Sequence, residues 1–125
     1  MSITTNVVII GGHLTRDIEL KYLQNGTAVA DIGLCINEKR KKDGEWIHVP
    51  TFVDVTAWAR TAETVAEHKQ KGDAVLITGR LTLDSWEKDG EKRQKLRVTA
   101  ENIDFLFVNK RDREVAEDYE DSLAY

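Results

Sequence analysis

The sequence has few of the residues that mark several protein classes. Its 125 residues include one cysteine, one proline and three histidines. A single cysteine, Cys35, excludes an intramolecular disulfide, and its apolar neighbours predict a buried, unreactive thiol. No apolar run approaches the ~18 residues of a membrane span, and the N-terminus lacks the pattern of a signal peptide. We expect one compact domain plus a short tail, soluble and cytoplasmic, with no membrane contact.

Patterns for catalysis or metal binding are also missing. His13, His48 and His68 fall in different predicted elements, and none has a cysteine or carboxylate at the spacing of zinc ligands. Gly11-Gly12 lacks the spaced glycines and the Lys-Ser/Thr pair of a phosphate-binding loop. No Gly-x-Ser-x-Gly nucleophile motif occurs. The sequence therefore predicts no enzyme, no metal site and no cofactor.

Charge is distributed unevenly along the chain. The formal net charge is −4, from 18 basic and 22 acidic residues. Residues 114–125 hold five of the acids and no base, so residues 1–113 carry 18 bases and 17 acids, a net charge of +1. The basic domain typical of nucleic-acid binding is absent, and any electrostatic site must come from local clusters. We expect a domain over residues 1–108 and an acidic tail over residues 109–125.

Short segments with one apolar face dominate the chain up to about residue 107. Asn25-Gly26, Asp43-Gly44 and Asp89-Gly90 predict tight turns, because these residues tolerate positive φ. The spacing of the apolar residues changes from that of a strand to that of a helix at Thr61–Lys71. This predicts one helix with Thr61 as its N-cap and Gly72 after its end. The predicted strands cover residues 7–10, with a break at Gly11-Gly12 and a short second piece at 18–23, and residues 28–36, 51–58, 74–83 and 95–104.

The order of these elements is three strands, a helix and two strands. This order is typical of an all-β chain with small α content: a five-stranded Greek-key barrel of the OB type, with one helix between strands three and four.

Aromatic side chains lie on what should be the non-core face. Phe52 and Trp58 are six residues apart on one strand, so both point away from the aliphatic row Val53, Val55 and Ala57. Large exposed aromatics mark interaction sites. Packing against a neighbouring loop or subunit is the alternative explanation.

Two basic hairpins flank these aromatics. Trp46 adjoins the run Lys39–Lys42, and Trp86 adjoins the hairpin with Lys92 and Arg93. Bases of unpaired strands stack on flat rings at about 1–3 kcal/mol each, while Lys and Arg follow the phosphates. Each basic cluster taken alone is also explained by a solvated hairpin tip. The combination favours a single-stranded nucleic acid. The candidate binding residues are Phe52, Trp58, Trp86, Trp46, Arg40, Lys39, Lys41, Lys42, Lys71, Lys92, Arg93, Lys95 and Arg97.

An ordered set of motifs resembles the bacterial single-stranded DNA-binding protein family over residues 6–107. The resemblance implies an OB fold, usually assembled as a homotetramer, that coats and protects single-stranded DNA during replication, recombination and repair, in the cytoplasm at the nucleoid. The motifs are Asn6–Leu14, Asp17–Tyr22, Asn25–Ala30, Phe52–Glu63, Lys71-Gly72 and Gly79–Trp86.

The resemblance also implies roles for individual residues. Phe52 falls where the family often has Trp, and Trp58 where it often has Phe, so two stacking rings are kept with exchanged identities. Trp86 matches a family Trp directly. Arg40 stands where many members have a further stacking Trp, so its guanidinium contacts phosphate or stacks instead. Whether Trp46 partly replaces that ring is open.

Two departures from the family pattern concern charge. Asp84 lies where related proteins can carry a base, and an acid beside a phosphate path lowers local affinity. Family members usually continue through a long Gly-, Pro- or Gln-rich linker to an acidic tip ending in Pro-Phe, which recruits replication and repair proteins. Residues 109–125 are acidic but end in Leu-Ala-Tyr. A recruiting tail and a merely solubilising tail are both open.

The sequence thus predicts sequence-independent binding of single-stranded DNA. An OB module that binds a protein partner, or one that binds RNA as an accessory factor, is the alternative.

Overall fold

The computed structural model describes residues 2–107, which form six strands and one helix. In chain order they are β1 (Val8–Leu14), β2 (Glu19–Tyr22), β3 (Ala28–Lys42), β4 (Glu45–Trp58), α1 (Ala59–His68), β5 (Ala74–Lys88) and β6 (Glu91–Leu106). The predicted acidic tail lies outside the described residues, so the division at residue 108 stays a prediction.

Five of the strands close into a barrel. The sheet order is β1-β5-β6-β4-β3-β2, and a further pairing of β1 with β3 joins the ends of the five-stranded part. All pairs are antiparallel except β4 with β6, which is parallel at Val55↔Val98 and Thr56↔Thr99. β2 extends the sheet as a short edge strand on β3. Among the five barrel strands the helix lies between the third and the fourth, which confirms the predicted OB-type barrel.

The core fills the barrel with the alternate side chains of each strand. On β3 the buried residues include Ala30, Ile32 and Leu34, and on β4 they are Val55 and Ala57. α1 contributes Ala62 and Val65 to the same cluster. Period-two alternation places every second strand residue on the core face, so the apolar rows of the sequence become the interior.

The predicted break of the first strand at Gly11-Gly12 is wrong. β1 continues through both glycines to Leu14 and pairs with β5 along the way. A Cβ on Gly12 would lie 2.2 Å from the carbonyl oxygen of Cys35, whereas one on Gly11 would meet only the flexible Leu76 side chain at 3.3 Å and a backbone oxygen at 3.7 Å. Gly12 therefore permits a close approach of β1 to β3 rather than a bend.

The helix is shifted from its predicted position. It begins at Ala59 and ends at His68, and its N-cap residue is Trp58, which makes no capping hydrogen bond with its side chain. β4 runs directly into the helix, so Thr61 is already inside it. At the other end Lys69 is extended (φ −127°, ψ 148°), which stops the helix before the predicted Lys71. Backbone geometry marks both ends: Ala59 has a φ of 53°, and the N–H of Lys69 donates to the carbonyl of Val65.

Two long hairpins project beyond the core as arms. We call residues 37–50 the β3–β4 arm and residues 83–96 the β5–β6 arm; most of their side chains are exposed. Asp43 and Gly44 (φ 52° and 80°) turn the first arm, and Asp89 and Gly90 (φ 53° and 78°) turn the second. Positive φ at both central residues is the type I′ geometry that matches the twist of paired strands. These turns confirm the predicted hairpins.

Within residues 2–107, no helix combines the length and the apolar character needed to cross a bilayer.

Candidate nucleic-acid interface

One continuous surface carries most of the candidate residues. We define the outer face as the side of β3, β4, β5 and β6 that points away from the core. Strand register assigns it the odd-numbered residues of β3, the even-numbered residues of β4 and, on the arm side of the register shift at Thr78/Gly79, the even-numbered residues of β5 from Arg80 onward and the odd-numbered residues of β6 up to Thr99. On this basis it includes Phe52, Asp54, Thr56, Trp58, Arg80, Thr82, Asp84, Trp86, Arg93, Lys95, Arg97 and Thr99.

The aromatic candidates are open to solvent on this face. The exposed fractions are 49% for Phe52, 43% for Trp58, 39% for Trp86 and 68% for Trp46. Trp46, Phe52 and Trp58 follow one another at six-residue intervals on β4, about 20 Å apart along the strand. Rings so far apart can each contact a different base of an extended strand. None of the four is sealed in the core.

The β3–β4 arm divides its four consecutive cations between two faces. Lys39 is opposite His48 and Lys41 is opposite Trp46, so both lie on the outer face with the aromatic row. Arg40 is opposite Ile47 and Lys42 is opposite Glu45, which assigns both to the other side of the arm. The Nη2 atom of Arg40 also lies 3.8 Å from Oε2 of Glu38. Two of the four cations, Lys39 and Lys41, therefore lie on the same face as the aromatic rings.

The β5–β6 arm divides its cations in the same way. Arg93 is opposite Trp86 and belongs to the outer face, while Lys92 is opposite Glu87 on the other side of the arm. Lys95 and Arg97 continue the outer row toward the barrel. The aromatic Trp86 therefore has a guanidinium directly across the strand pair.

Carboxylates neutralise part of this row. Arg97 donates from Nε to Asp84 at 3.1 Å, and Lys95 donates to Asp54. The hydrogen bond from Lys95 lowers the pKa of the Asp54 carboxyl, and the charges of Lys95, Arg97 and Arg16 lower it further, against the opposing effect of partial burial. Asp54 is therefore ionised throughout the neutral pH range.

An open groove of about 550 Å³ lies at the centre of the outer face. Trp58 forms part of its wall, with Arg97 and Asp84 also lining it, and the hydroxyls of Thr82 and Thr99 are joined by a hydrogen bond of 2.7 Å. A flat ring beside hydrogen-bonding groups and a guanidinium can receive a nucleobase with its phosphate. The remaining lining residues are Asp31, Thr56, Arg80 and Leu83.

Arg16 and Arg80 are two cations of this region that sequence reasoning missed. Arg80 lines the groove, and its even number on the strand of Trp86 was a signal that could have found it. Arg16 lies between β1 and β2, and its Nη2 is 3.8 Å from Asp54. Its position near Asp54 depends on how the segment between β1 and β2 folds over the sheet, which the sequence does not reveal.

Lys71, unlike the other candidate cations, does not lie on a strand. It follows α1, and its backbone N–H donates to the Asp17 carboxylate at 2.9 Å. The structure assigns it to the turn that contacts the β1–β2 connection, not to the row on β6.

Cys35 and the possible metal ligands complete the description of reactive groups. Cys35 is buried on β3, as predicted. Within residues 2–107 no group of three or more His, Cys, Asp or Glu side chains is placed to hold a metal ion.

Comparisons with known proteins agree with the barrel and its motifs. The sequence model of the Single-strand binding protein family matches residues 5–106. The single-stranded DNA-binding protein of Wolinella succinogenes is 47% identical over 103 residues, which cover 81% of this chain and 64% of that protein. The one from Helicobacter pylori is 39% identical over 122 residues, covering 96% of this chain and 68% of the relative.

A solved structure gives the same result in three dimensions. The wild-type single-stranded DNA binding protein from Thermus aquaticus superimposes with a TM-score of 0.72 at 34% sequence identity, covering 82% of this chain and 50% of that one. The chain spans about three fifths of the length of the first curated relatives it matches. With its motifs, its barrel and the match over residues 5–106, this chain belongs to the single-strand binding protein family.

Proposed function

We propose that this chain binds and protects single-stranded DNA with little sequence preference, as a non-catalytic protein of replication, recombination and repair that acts in the cytoplasm at the nucleoid. The observation that carries the proposal is the exposure of Phe52, Trp58 and Trp86 on a sheet face that also presents Arg93 and Lys41. Relatives named single-stranded DNA-binding protein support it.

The chemistry of this face suits an unpaired strand. Every base has a π-face, so stacking on a flat ring is favourable without reading sequence, and cations beside the rings neutralise the phosphates. A duplex hides its base faces, which leaves exposed rings without a partner. We assign stacking to Phe52, Trp58 and Trp86, with Trp46 on the arm as a further ring.

The charge of the site is contributed unequally by the predicted cations. Lys39 and Lys41 share the outer face with the rings. Arg93, Lys95 and Arg97 lie on the same face, but each is paired with a carboxylate, from Glu91, Asp54 and Asp84 respectively. Lys71 contributes its positive charge to the proposed site from the turn after α1. Arg40, Lys42 and Lys92 lie on the reverse side of the two arms, where only a strand that wraps around the arm edges would reach them, so we assign them a smaller share of the binding.

Self-association is part of the proposal, with a homotetramer as the expected state. Residues 1–113 carry a net charge of only +1, so a single site has weak electrostatic attraction for a strand. Several sites joined in one assembly bind the same strand at high effective concentration. Exposed apolar side chains supply candidate contacts between copies, because large apolar patches mark interfaces. They include Val7, Ile9, Leu83 and Leu96, each more than half exposed.

The acidic tail has a separate proposed role. We assign residues 109–125 to the recruitment of replication and repair proteins, on the basis of the five acids, with no base, in residues 114–125. A segment rich in like charge suits an interaction tail.

A titration of the full chain with poly-dT tests the function. Stacking of bases on Trp58 and Trp86 is expected to quench tryptophan fluorescence, and binding should weaken as salt rises because counterions are released from the strand. Sedimentation of the same samples reports assembly. No quenching at low salt contradicts the stacking assignment. Preference for an rU oligomer over dT supports the RNA alternative, and a partner captured after nuclease treatment without any oligonucleotide binding supports the protein alternative.

Lys41→Ala and Lys42→Ala form a matched pair for the charge assignment. Loss of one phosphate contact flattens the dependence of log affinity on log salt by about 0.7 for a single strand. We expect that change for Lys41→Ala, with affinity about fivefold lower at 0.1 M salt and equal to the parent near 1 M. Lys42→Ala removes the same charge from the other face and should have a smaller effect on both. Equal effects contradict the division of the arm into two faces.

A further inference from the structure

Two carboxylates lie inside the cationic row of the outer face. Asp54 is the hydrogen-bond acceptor of Lys95, and Arg16 approaches its other oxygen at 3.8 Å. Asp84 accepts a hydrogen bond from Arg97 at 3.1 Å. The sequence offered no reason to connect Asp54 with Arg16, which lies 38 positions earlier in the chain.

The side chains of the Asp54 cluster remain accessible to a ligand. Asp54 exposes 26% of its side chain, Lys95 48% and Arg16 51%. Exposed ion pairs of this kind contribute little to folding stability. A phosphate that reaches Lys95 or Arg16 meets a cation that already has a carboxylate partner.

We propose that Asp54 competes with DNA phosphates for Lys95 and Arg16, and so limits both the affinity and the salt dependence of single-strand binding. The inference rests on the proposed function and names the residue that sets its strength. With Asp54 the three-residue cluster has a net charge of +1; without it the charge is +2. Asp84 acts in the same way on Arg97, but on one cation rather than two.

The size of the effect follows from counterion release. One additional phosphate contact steepens the salt slope by about 0.7 for a single strand. At 0.1 M salt that slope corresponds to roughly fivefold tighter binding, and the advantage vanishes near 1 M. A carboxylate that only shaped the sheet would change affinity equally at every salt concentration.

The experiment compares Asp54→Asn with the parent by fluorescence titration of the full chain with a dT oligomer from 0.1 to 1 M salt. We expect about fivefold tighter binding at 0.1 M, a slope steeper by about 0.7, and equal affinities near 1 M. Glu63→Gln is the charge control: it removes one negative charge from α1, where Glu63 lies beside Leu20 and Tyr22 of β2 rather than on the outer face. Its affinity should stay within about 1.5-fold of the parent, because solvent and salt screen distant charges.

Two further variants serve as controls for this experiment. The double variant Asp54→Asn with Lys95→Ala restores the cluster charge of +1, so its affinity and slope should return to within about twofold of the parent. Asp84→Asn should also tighten binding at low salt, by freeing Arg97, and it replaces Asp54→Asn if thermal melting shows that variant to be unfolded. Unchanged or weaker binding by a folded Asp54→Asn overturns the inference. A parent chain that does not bind dT overturns the proposed function instead.

Discussion

Trp58→Ala is expected to weaken binding of a dT oligomer by roughly 5- to 150-fold, the equivalent of losing one base stacked at about 1–3 kcal/mol. Trp58 is 43% exposed and forms part of the wall of the groove on the outer face, which Arg97 also lines. Because the lost interaction carries no charge, the fold-change should be the same at 0.1 M and 1 M salt. Titration at both concentrations measures it.

Tyr22→Ala is the matched control for that substitution. Tyr22 is an exposed aromatic on β2, but it lies beside Glu63 and Ala66 of α1 rather than on the outer face. Its removal should leave affinity unchanged, and Trp58→Phe should retain most of the binding. Trp58 caps α1 through backbone geometry alone, so alanine keeps the helix start. A Trp58→Ala effect that disappears at high salt contradicts the stacking role.

Gly12→Ala is expected to lower the free energy of unfolding by about 1–3 kcal/mol, the usual range for overpacking a core. The new methyl group would lie 2.2 Å from the backbone oxygen of Cys35, and neither strand can yield without disturbing the β1–β3 pairing. We expect a fall in Tm of about 5–15 °C for a chain of this size. Thermal unfolding by circular dichroism, at one fixed protein concentration, measures the change.

The adjacent Gly11→Ala separates this crowding from a general effect of replacing glycine in β1. Its methyl group would meet the Leu76 side chain at 3.3 Å, which can rotate away. Neither glycine has a positive φ, so no backbone strain is added. We expect a change within about 0.5 kcal/mol. Equal destabilisation by both substitutions contradicts the close approach of β1 and β3 at Gly12.

The fold was predictable because its signals are local. The alternation of Ala28 to Ile36 defines a core face within one strand, and Asp43-Gly44 and Asp89-Gly90 specify hairpin turns within two residues. The errors arose where a local signal has two meanings. Gly11-Gly12 is compatible with a bend or with a strand that another backbone approaches closely, and only the position of Cys35 decides between them.

The candidate site was predictable to the extent that it follows strand parity. Phe52 and Trp58 share a face because their separation is even, and both are exposed as that pattern requires. The same rule divides the cation run Lys39–Lys42, which looks like one cluster in the sequence: Lys41 and Lys42 lie on opposite faces although they are adjacent in the chain.

The sequence by itself determined the strands, their turns, the apolar row that becomes the core and the rings opposite it, because each depends on spacing within one segment. The tertiary structure alone decided which charges meet. Asp54, Lys95 and Arg16 come from three separate segments, and their contact depends on the parallel β4–β6 pairing and on the path between β1 and β2. Electrostatic interaction depends on distance in space, which barrel closure sets and no spacing in the chain encodes.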